Sequence, residues 1–268
     1  MTTQKIAIGL VAVALFVGSM TAHAADFSVG YKAYQRGDYA TALRIFRQLA
    51  DQGNVSAQNI LGVMYESGRG VTQNYAVAVQ WYSKAADQGL AVAQGNLGNM
   101  YGKGWGVPQD DAVAVRWYRK AADQGDAVAQ YNLGLMYWNG RGVFYDYAEA
   151  ERWYRKAADQ GLAVAQYNLA VMYTGGGGVP QDYGEAVRWY RKAADQGDAL
   201  AQTNLGDMYE KGQGVPQDYV QAHMWYNLGA ARGNKPGRKN RDSLAKQMTP
   251  AQIAEAQKLA REWKPKGK

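Results

Sequence analysis

AQYNLAVMYTGGGGVPQDYGEAVRWYRKAADQGDAL, residues 165–200, is one of a series of near-copies laid end to end. Trp81, Trp117, Trp153, Trp189 and Trp225 recur at a constant step of 36 residues, as do Gly53, Gly89, Gly125, Gly161, Gly197 and Gly233. A fixed period of this size predicts an array whose units cannot bury their apolar faces alone and stack on one another. In the first full copy Ala57, Leu61, Met64 and Tyr65 share one helical face, and Ala78, Trp81, Tyr82, Ala85 and Ala86 share another. Each copy therefore reads as two antiparallel helices, with alanines allowing close approach and Trp and Tyr supplying most of the buried area. Glycines in the intervening loop permit backbone angles that other residues resist. Asp146 and Asp182, followed by Glu149 and Glu185, predict capping boxes at the second helix, which ends at Asp-Gln-Gly with a left-handed glycine.

The fold class expected is all-α. Residues 1–24 read as a secretory signal, with Lys5, an apolar run over 6–17 and Ala22-His23-Ala24 as the cleavage site. Residues 25–56 form a shorter capping unit, followed by five full units at 57–92, 93–128, 129–164, 165–200 and 201–236. Residues 237–268 no longer repeat and are expected as basic capping helices, the last from Thr249-Pro250 to about Trp263, with Ile253, Ala256, Leu259, Ala260 and Trp263 as its apolar stripe.

The pattern A-x-x-x-L-G-x-M-Y-x-x-G-x-G-V-x-Q-D-Y-x-x-A-x-x-W-Y-x-K-A-A-x-Q-G resembles the Sel-one-like repeat (SLR), a relative of the tetratricopeptide repeat. The resemblance covers residues 57–234, with departures at Asp111, Ala170, Phe144-Tyr145 and Asn227-Leu228. It implies a right-handed superhelical solenoid of paired helices, serving as a protein-binding scaffold along its concave face. Exported bacterial members act in envelope signalling, assembly or host contact, so a periplasmic or secreted location is expected here.

The residue inventory argues against catalysis. The chain has no cysteine, and after signal removal His223 is its only histidine, so Cys/His metal or nucleophile chemistry has no material. Ser243-Leu244-Ala245-Lys246 matches an S-x-x-K motif, but no S-D-N or K-T-G accompanies it. No catalytic residue, metal or cofactor is expected. A weak β-lactam or wall-fragment hydrolase is the alternative from the enzyme class.

The formal charge is +7, and residues 233–268, with ten Lys or Arg against three Asp or Glu, carry that excess. Such a tail could contact cell wall or another anionic envelope polymer, the second alternative. No nucleic-acid motif accompanies the charge, and no span follows the signal, so neither nucleic acid nor an integral membrane span is expected.

Function is then to be sought where the copies differ. On the first helix the variable columns are 59, 63 and 66 with their equivalents, spaced to share one face. Read by unit they give Asn59, Val63, Glu66; Gly95, Asn99, Gly102; Tyr131, Leu135, Trp138; Tyr167, Val171, Thr174; and Thr203, Asp207, Glu210. The resemblance places this stripe in the concave groove. Tyr131, Leu135, Trp138, Tyr167 and Val171 form an apolar patch beside the acids Asp207 and Glu210, a plausible site for a protein or peptide partner. Local packing of the three aromatics along the array is the competing account. Trp105 and Phe144, in loop columns that are small, polar or proline elsewhere, are weaker rim candidates. Arg116, Arg119 and Lys120 on the second helix read as a solvated convex face.

Overall fold

The computed structural model describes residues 26–266; residues 1–24, expected as a signal, lie outside them. The chain divides into two compact units, meeting at Gln124 and Gly125. The first contains α1 (residues 26–35), α2 (Tyr39–Asp51), α3 (Val55–Ser67), α4 (Tyr75–Asp87), α5 (Ala91–Lys103) and α6 (Asp111–Asp123). The second contains α7 (Ala127–Asn139), α8 (Tyr147–Asp159), α9 (Ala163–Gly175), α10 (Tyr183–Asp195), α11 (Ala199–Lys211), α12 (Tyr219–Ala231), α13 (Lys235–Leu244), a 3-10 turn (Ala245–Gln247) and α14 (Pro250–Glu262). No strand occurs among the described residues. Within each unit, helices pack pairwise and each second helix packs on the first helix of the next pair, as in a solenoid.

Helix starts are set by side-chain caps. Asn54, Asp126 and Asp198 accept from the backbone N–H three residues on, at 2.7 to 2.9 Å, so first helices open about two residues before the boundaries read from the alanine column. Asp146 and Asp182 cap α8 and α10 in the same way. The expected capping boxes do not close there, because the glutamates have better partners further along the helix. Glu149 accepts from Arg152 at 2.8 Å and from Trp153 Nε1 at 3.0 Å, and Glu185 pairs with Arg188 at 2.8 Å. Among the described residues the one complete box is at Thr249 and Gln252, opening α14.

Two devices repeat along the stack. The first is a buried glutamine ladder. Gln166 Nε2 donates to the Ala158 carbonyl at 3.0 Å while its Oε1 accepts from Gln196 at 2.9 Å. Gln130 likewise accepts from Gln160, and in the first unit Gln58 and Gln94 accept from Gln88 and Gln124. Each buried glutamine so joins a first helix to second helices on both sides, satisfying an amide that burial would otherwise penalise. The second is a cation–π series. The Lys84, Lys120, Lys156 and Lys192 ammoniums sit 3.9 to 4.2 Å over the Trp81, Trp117, Trp153 and Trp189 rings. The basic second-helix residues are also more than a solvated surface, since Arg155 and Arg191 donate to the hydroxyls of Tyr173 and Tyr209 on the following first helices.

Both series stop at α12, and the substitutions there explain why. Leu228 stands in the lysine column and is buried; Trp225 loses its cation and packs edge-on against Trp263 of the chain after α14, 6.3 Å between centroids. Arg232 stands in the glutamine column with its guanidinium over Trp263, leaving Gln202 Oε1 buried without a protein partner. The Lys266 N–H donates to the Asp195 carbonyl at 2.8 Å and ties the end of the chain to α10.

After residue 234 the chain forms the expected capping helices, and the first of them, α13, keeps several columns of a first helix. Asn234 caps α13 as Asp198 caps α11, and Gly237 and Leu244 are buried in the columns of Ala201 and Met208. Four lysines or arginines in α13 hide this from a reading of apolar pattern.

Candidate functional site

The variable stripe of the second unit is built on α7, α9 and α11. Between α7 and α9 lies a pocket of about 270 Å³, lined by Leu135, Trp138, Asn139, Tyr154, Tyr167, Asn168, Val171 and Met172. Four predicted residues, Leu135, Trp138, Tyr167 and Val171, thus line one pocket. Tyr131 does not; its ring tilts against Tyr154 at 5.8 Å. Tyr167 makes the equivalent contact with Tyr190 at 5.9 Å, so it is at once a packing residue and part of the wall. Thr203, in the same column, is buried, with its hydroxyl donating to the Ala199 carbonyl at 3.0 Å. It is not a groove residue, because α12 and α13 close over it, with Gly229 and Gly237 in contact with its hydroxyl.

The variable columns have a second task. In each full copy a tyrosine of the second helix is buried with its hydroxyl aimed at the stripe, and that hydroxyl needs a polar partner. In the first unit Tyr82 donates to Glu66 at 2.5 Å and Tyr118 donates to Asn99 at 2.7 Å. In the second, Tyr226 lies 2.5 Å from both Asp207 Oδ1 and Glu210 Oε2, and Asn240 of α13 donates to the same Asp207 oxygen at 3.0 Å. The third full copy has only Leu135 and Trp138 in these columns. Its Tyr154 therefore turns to Asn168 of the next first helix, which also holds the Tyr131 hydroxyl. Asn204 serves Tyr167 and Tyr190 in the same manner. Tyr154 and Asn168 are pocket residues that comparison of copies misses, because Tyr and Asn stand in the same columns in the neighbouring copies.

Burial, first of all, raises the hydroxyl pKa of Tyr82, Tyr154, Tyr190 and Tyr226; for Tyr82 and Tyr226 the neighbouring carboxylates push it further. A raised folded-state value favours folding below the unfolded pKa of about 10 and is lost as pH rises beyond it. The alkaline transition should therefore be cooperative. Phenolate absorbance at 295 nm from these four residues should appear only together with loss of helicity, and gradual ionisation of a helical protein would contradict their burial.

Asp207 and Glu210 are half-buried, and neither takes part in an ion pair among the described residues. The pocket is thus followed, one first helix further on, by two carboxylates with no cation. Trp105 belongs to the first unit, where it stacks on Tyr75 at 5.0 Å with the Lys103 ammonium 4.1 Å over its ring. Ser243 is exposed on α13, and Lys246 is exposed on the turn that follows. No group of three or more His, Cys, Asp or Glu able to hold a metal ion occurs among the described residues, and no described helix is long and apolar enough to cross a membrane.

Comparison with known proteins agrees with this architecture. The Sel1 repeat pattern matches residues 24–54, 55–90, 91–126, 127–162, 163–198 and 199–234, so the short first unit is a repeat as well. A protective antigen of uropathogenic Escherichia coli strains displaying an SLR fold is similar over 90% of this chain, with 40% identity and a TM-score of 0.81. The match covers 53% of that protein, so the present chain spans about half its length. A Sel1 repeat protein from Oxalobacter formigenes is similar over 90% of this chain and 99% of its own, with 35% identity and a TM-score of 0.76. No curated protein sequence matches significantly. With six tandem repeats in register, an all-helical paired fold and these structural relatives, the chain belongs to the Sel1 repeat family, whose members are helical scaffolds that typically bind proteins.

Proposed function

We propose that the chain is an exported, non-catalytic scaffold that binds an extended polypeptide along the first-helix face of its second unit, the concave side of the array. One bulky apolar side chain of the partner enters the pocket between α7 and α9, and a basic side chain one helix further on meets Asp207 and Glu210. The observation that carries this reading is the convergence of Leu135, Trp138, Tyr167 and Val171, four residues that vary between copies, on a single pocket of about 270 Å³. Unpaired carboxylates beside it give the partner its charge. The surface is already built in the free protein, so binding is docking with little ordering cost on the scaffold side.

The signal-like residues 1–24 support export to the periplasm or beyond, and similarity to a bacterial protective antigen is in keeping with it. Envelope signalling, assembly or contact with a host are the settings this location suggests. Fractionation of cells carrying the full chain tests the location, and a product retained in the cytoplasm at full length would refute it.

The binding reading is tested with peptides selected from a random displayed library on the full chain. Selected sequences should share an apolar residue with Lys or Arg nearby, and Val171→Asp should weaken the best of them by at least about tenfold, as expected when a charge is buried against an apolar anchor. Retention of full affinity by folded Val171→Asp would refute the site.

A further inference from the structure

We propose that the loop joining α7 to α8 is a second anchor of the same interface, an aromatic platform of Phe144, Tyr145 and Tyr147 that takes a second apolar side chain of the polypeptide partner. This rests on the groove reading above and extends it beyond the helices.

The fold does not ask for Phe144 or Tyr145, whereas Tyr147 stands in the repeat's tyrosine column with Tyr75, Tyr183 and Tyr219. All five long loops close with the same backbone hydrogen bond, from the N–H of Asn74, Asp110, Asp146, Asp182 and Asp218 to the carbonyl of Tyr65, Tyr101, Tyr137, Tyr173 and Tyr209, at 2.9 to 3.2 Å. In three of the others a glutamine side chain adds a second closure: Gln73, Gln181 and Gln217 donate to the carbonyls of Glu66, Thr174 and Glu210 at 2.7 to 2.8 Å. Tyr145 occupies that glutamine column and has no amide to donate, so the loop keeps its course and forgoes the bond. What it presents instead is Phe144 at 95% exposure, Tyr145 at 69% and Tyr147 at 41%, three aromatic side chains in water within four residues. Isolated exposed apolar residues are ordinary, but three exposed aromatic residues within four positions mark an interaction surface.

The platform is continuous with the pocket. Tyr145 and Tyr147 lie 6.5 Å apart, Tyr147 and Trp138 lie 4.9 Å apart, and Trp138 forms the pocket wall. The next loop packs closely on the Trp138 and Tyr147 side chains through Gly177 and Gly178, the latter as Gly70, Gly106 and Gly214 pack on Tyr39, Tyr75 and Tyr183. A Cβ on Gly177 would lie 3.1 Å from the Trp138 ring, and one on Gly178 would lie 1.9 Å from the Tyr147 Cβ. The loop's own charges, Arg141 and Asp146, cancel. It therefore lacks the basic cluster that draws a protein to an anionic bilayer. A polypeptide already held in the neighbouring pocket is the occupant that continuity favours.

The test restores the repeat's own loop. F144P/Y145Q installs the Pro-Gln found at 108–109, 180–181 and 216–217, and should melt no lower than the natural chain. Peptides selected on the natural chain should bind this variant about tenfold or more weakly, and their alanine scans should show a second apolar position whose loss matters only with the natural loop. Phe144→Ser, at a side chain that touches almost nothing, gives the same readout if the double variant misfolds. Unchanged peptide affinity in both variants, with binding still lost in Val171→Asp, would overturn the platform and spare the pocket; affinity unchanged in all three would overturn both. Binding of the natural chain, but not F144P/Y145Q, to phosphatidylcholine/phosphatidylglycerol vesicles would assign the platform to a lipid surface instead. Sedimentation as a dimer that the variant dissociates would assign it to a second copy, and either result would overturn the proposal.

Discussion

Leu244→Ala should destabilise the second unit by about 2–5 kcal/mol, the range for emptying a fully buried leucine site. Leu244 is 0% exposed although it lies in the most basic part of the chain, and it belongs to the same apolar cluster as Met248, Ala256, Trp225 and Tyr226. An array of stacked pairs needs its last apolar face covered. Here α13 and α14 do that, with Leu228 and Trp225 on α12 replaced or freed to receive them. Chemical denaturation of the full chain measures the effect. A loss below about 0.5 kcal/mol, the usual range for surface substitutions, would mean that the basic tail is an appended segment and not a cap.

Tyr226→Phe should act in two directions at once. The hydroxyl lies 2.5 Å from a carboxylate oxygen of Asp207 and of Glu210, so its removal should cost about 1.5–3 kcal/mol, the range for a hydrogen bond to a charged group. The same change frees both carboxylates for the partner, so a peptide carrying Lys or Arg should bind the variant at least as tightly as the natural chain. Weaker binding together with the stability loss would show that the acids act only within the fold.

The array was legible in the sequence because tryptophan and glycine hold their 36-residue step without a gap, and periodic burial leaves a periodic pattern. The register of α13 was not, because Lys235 and Arg241 replace the alanine and leucine columns, Arg238 replaces the glutamine, and only Asn234, Gly237, Asn240 and Leu244 keep to the pattern. Leu135, Trp138, Tyr167 and Val171 could be found by asking where copies differ. Tyr154 and Asn168 could not, since residues that recur in the neighbouring copies look purely structural even when one copy uses them to line a pocket. The same comparison treated columns 63 and 66 as free. They are free only in part, because buried tyrosine hydroxyls draw their partners from them, as Glu66, Asn99 and Asp207 show.

The central claim is that residues which depart from neighbouring copies, Leu135 and Trp138 of the third full copy foremost, carry the binding. It is tested most directly by giving α7 the residues of α5 at those columns, L135N/W138G, after Asn99 and Gly102. Calorimetric titration with a peptide selected on the natural chain should then show affinity reduced by at least about tenfold. The helical content should stay unchanged, and melting should fall by only the few degrees that about 1 kcal/mol for a helical glycine entails. Undiminished affinity in that folded variant would contradict the account.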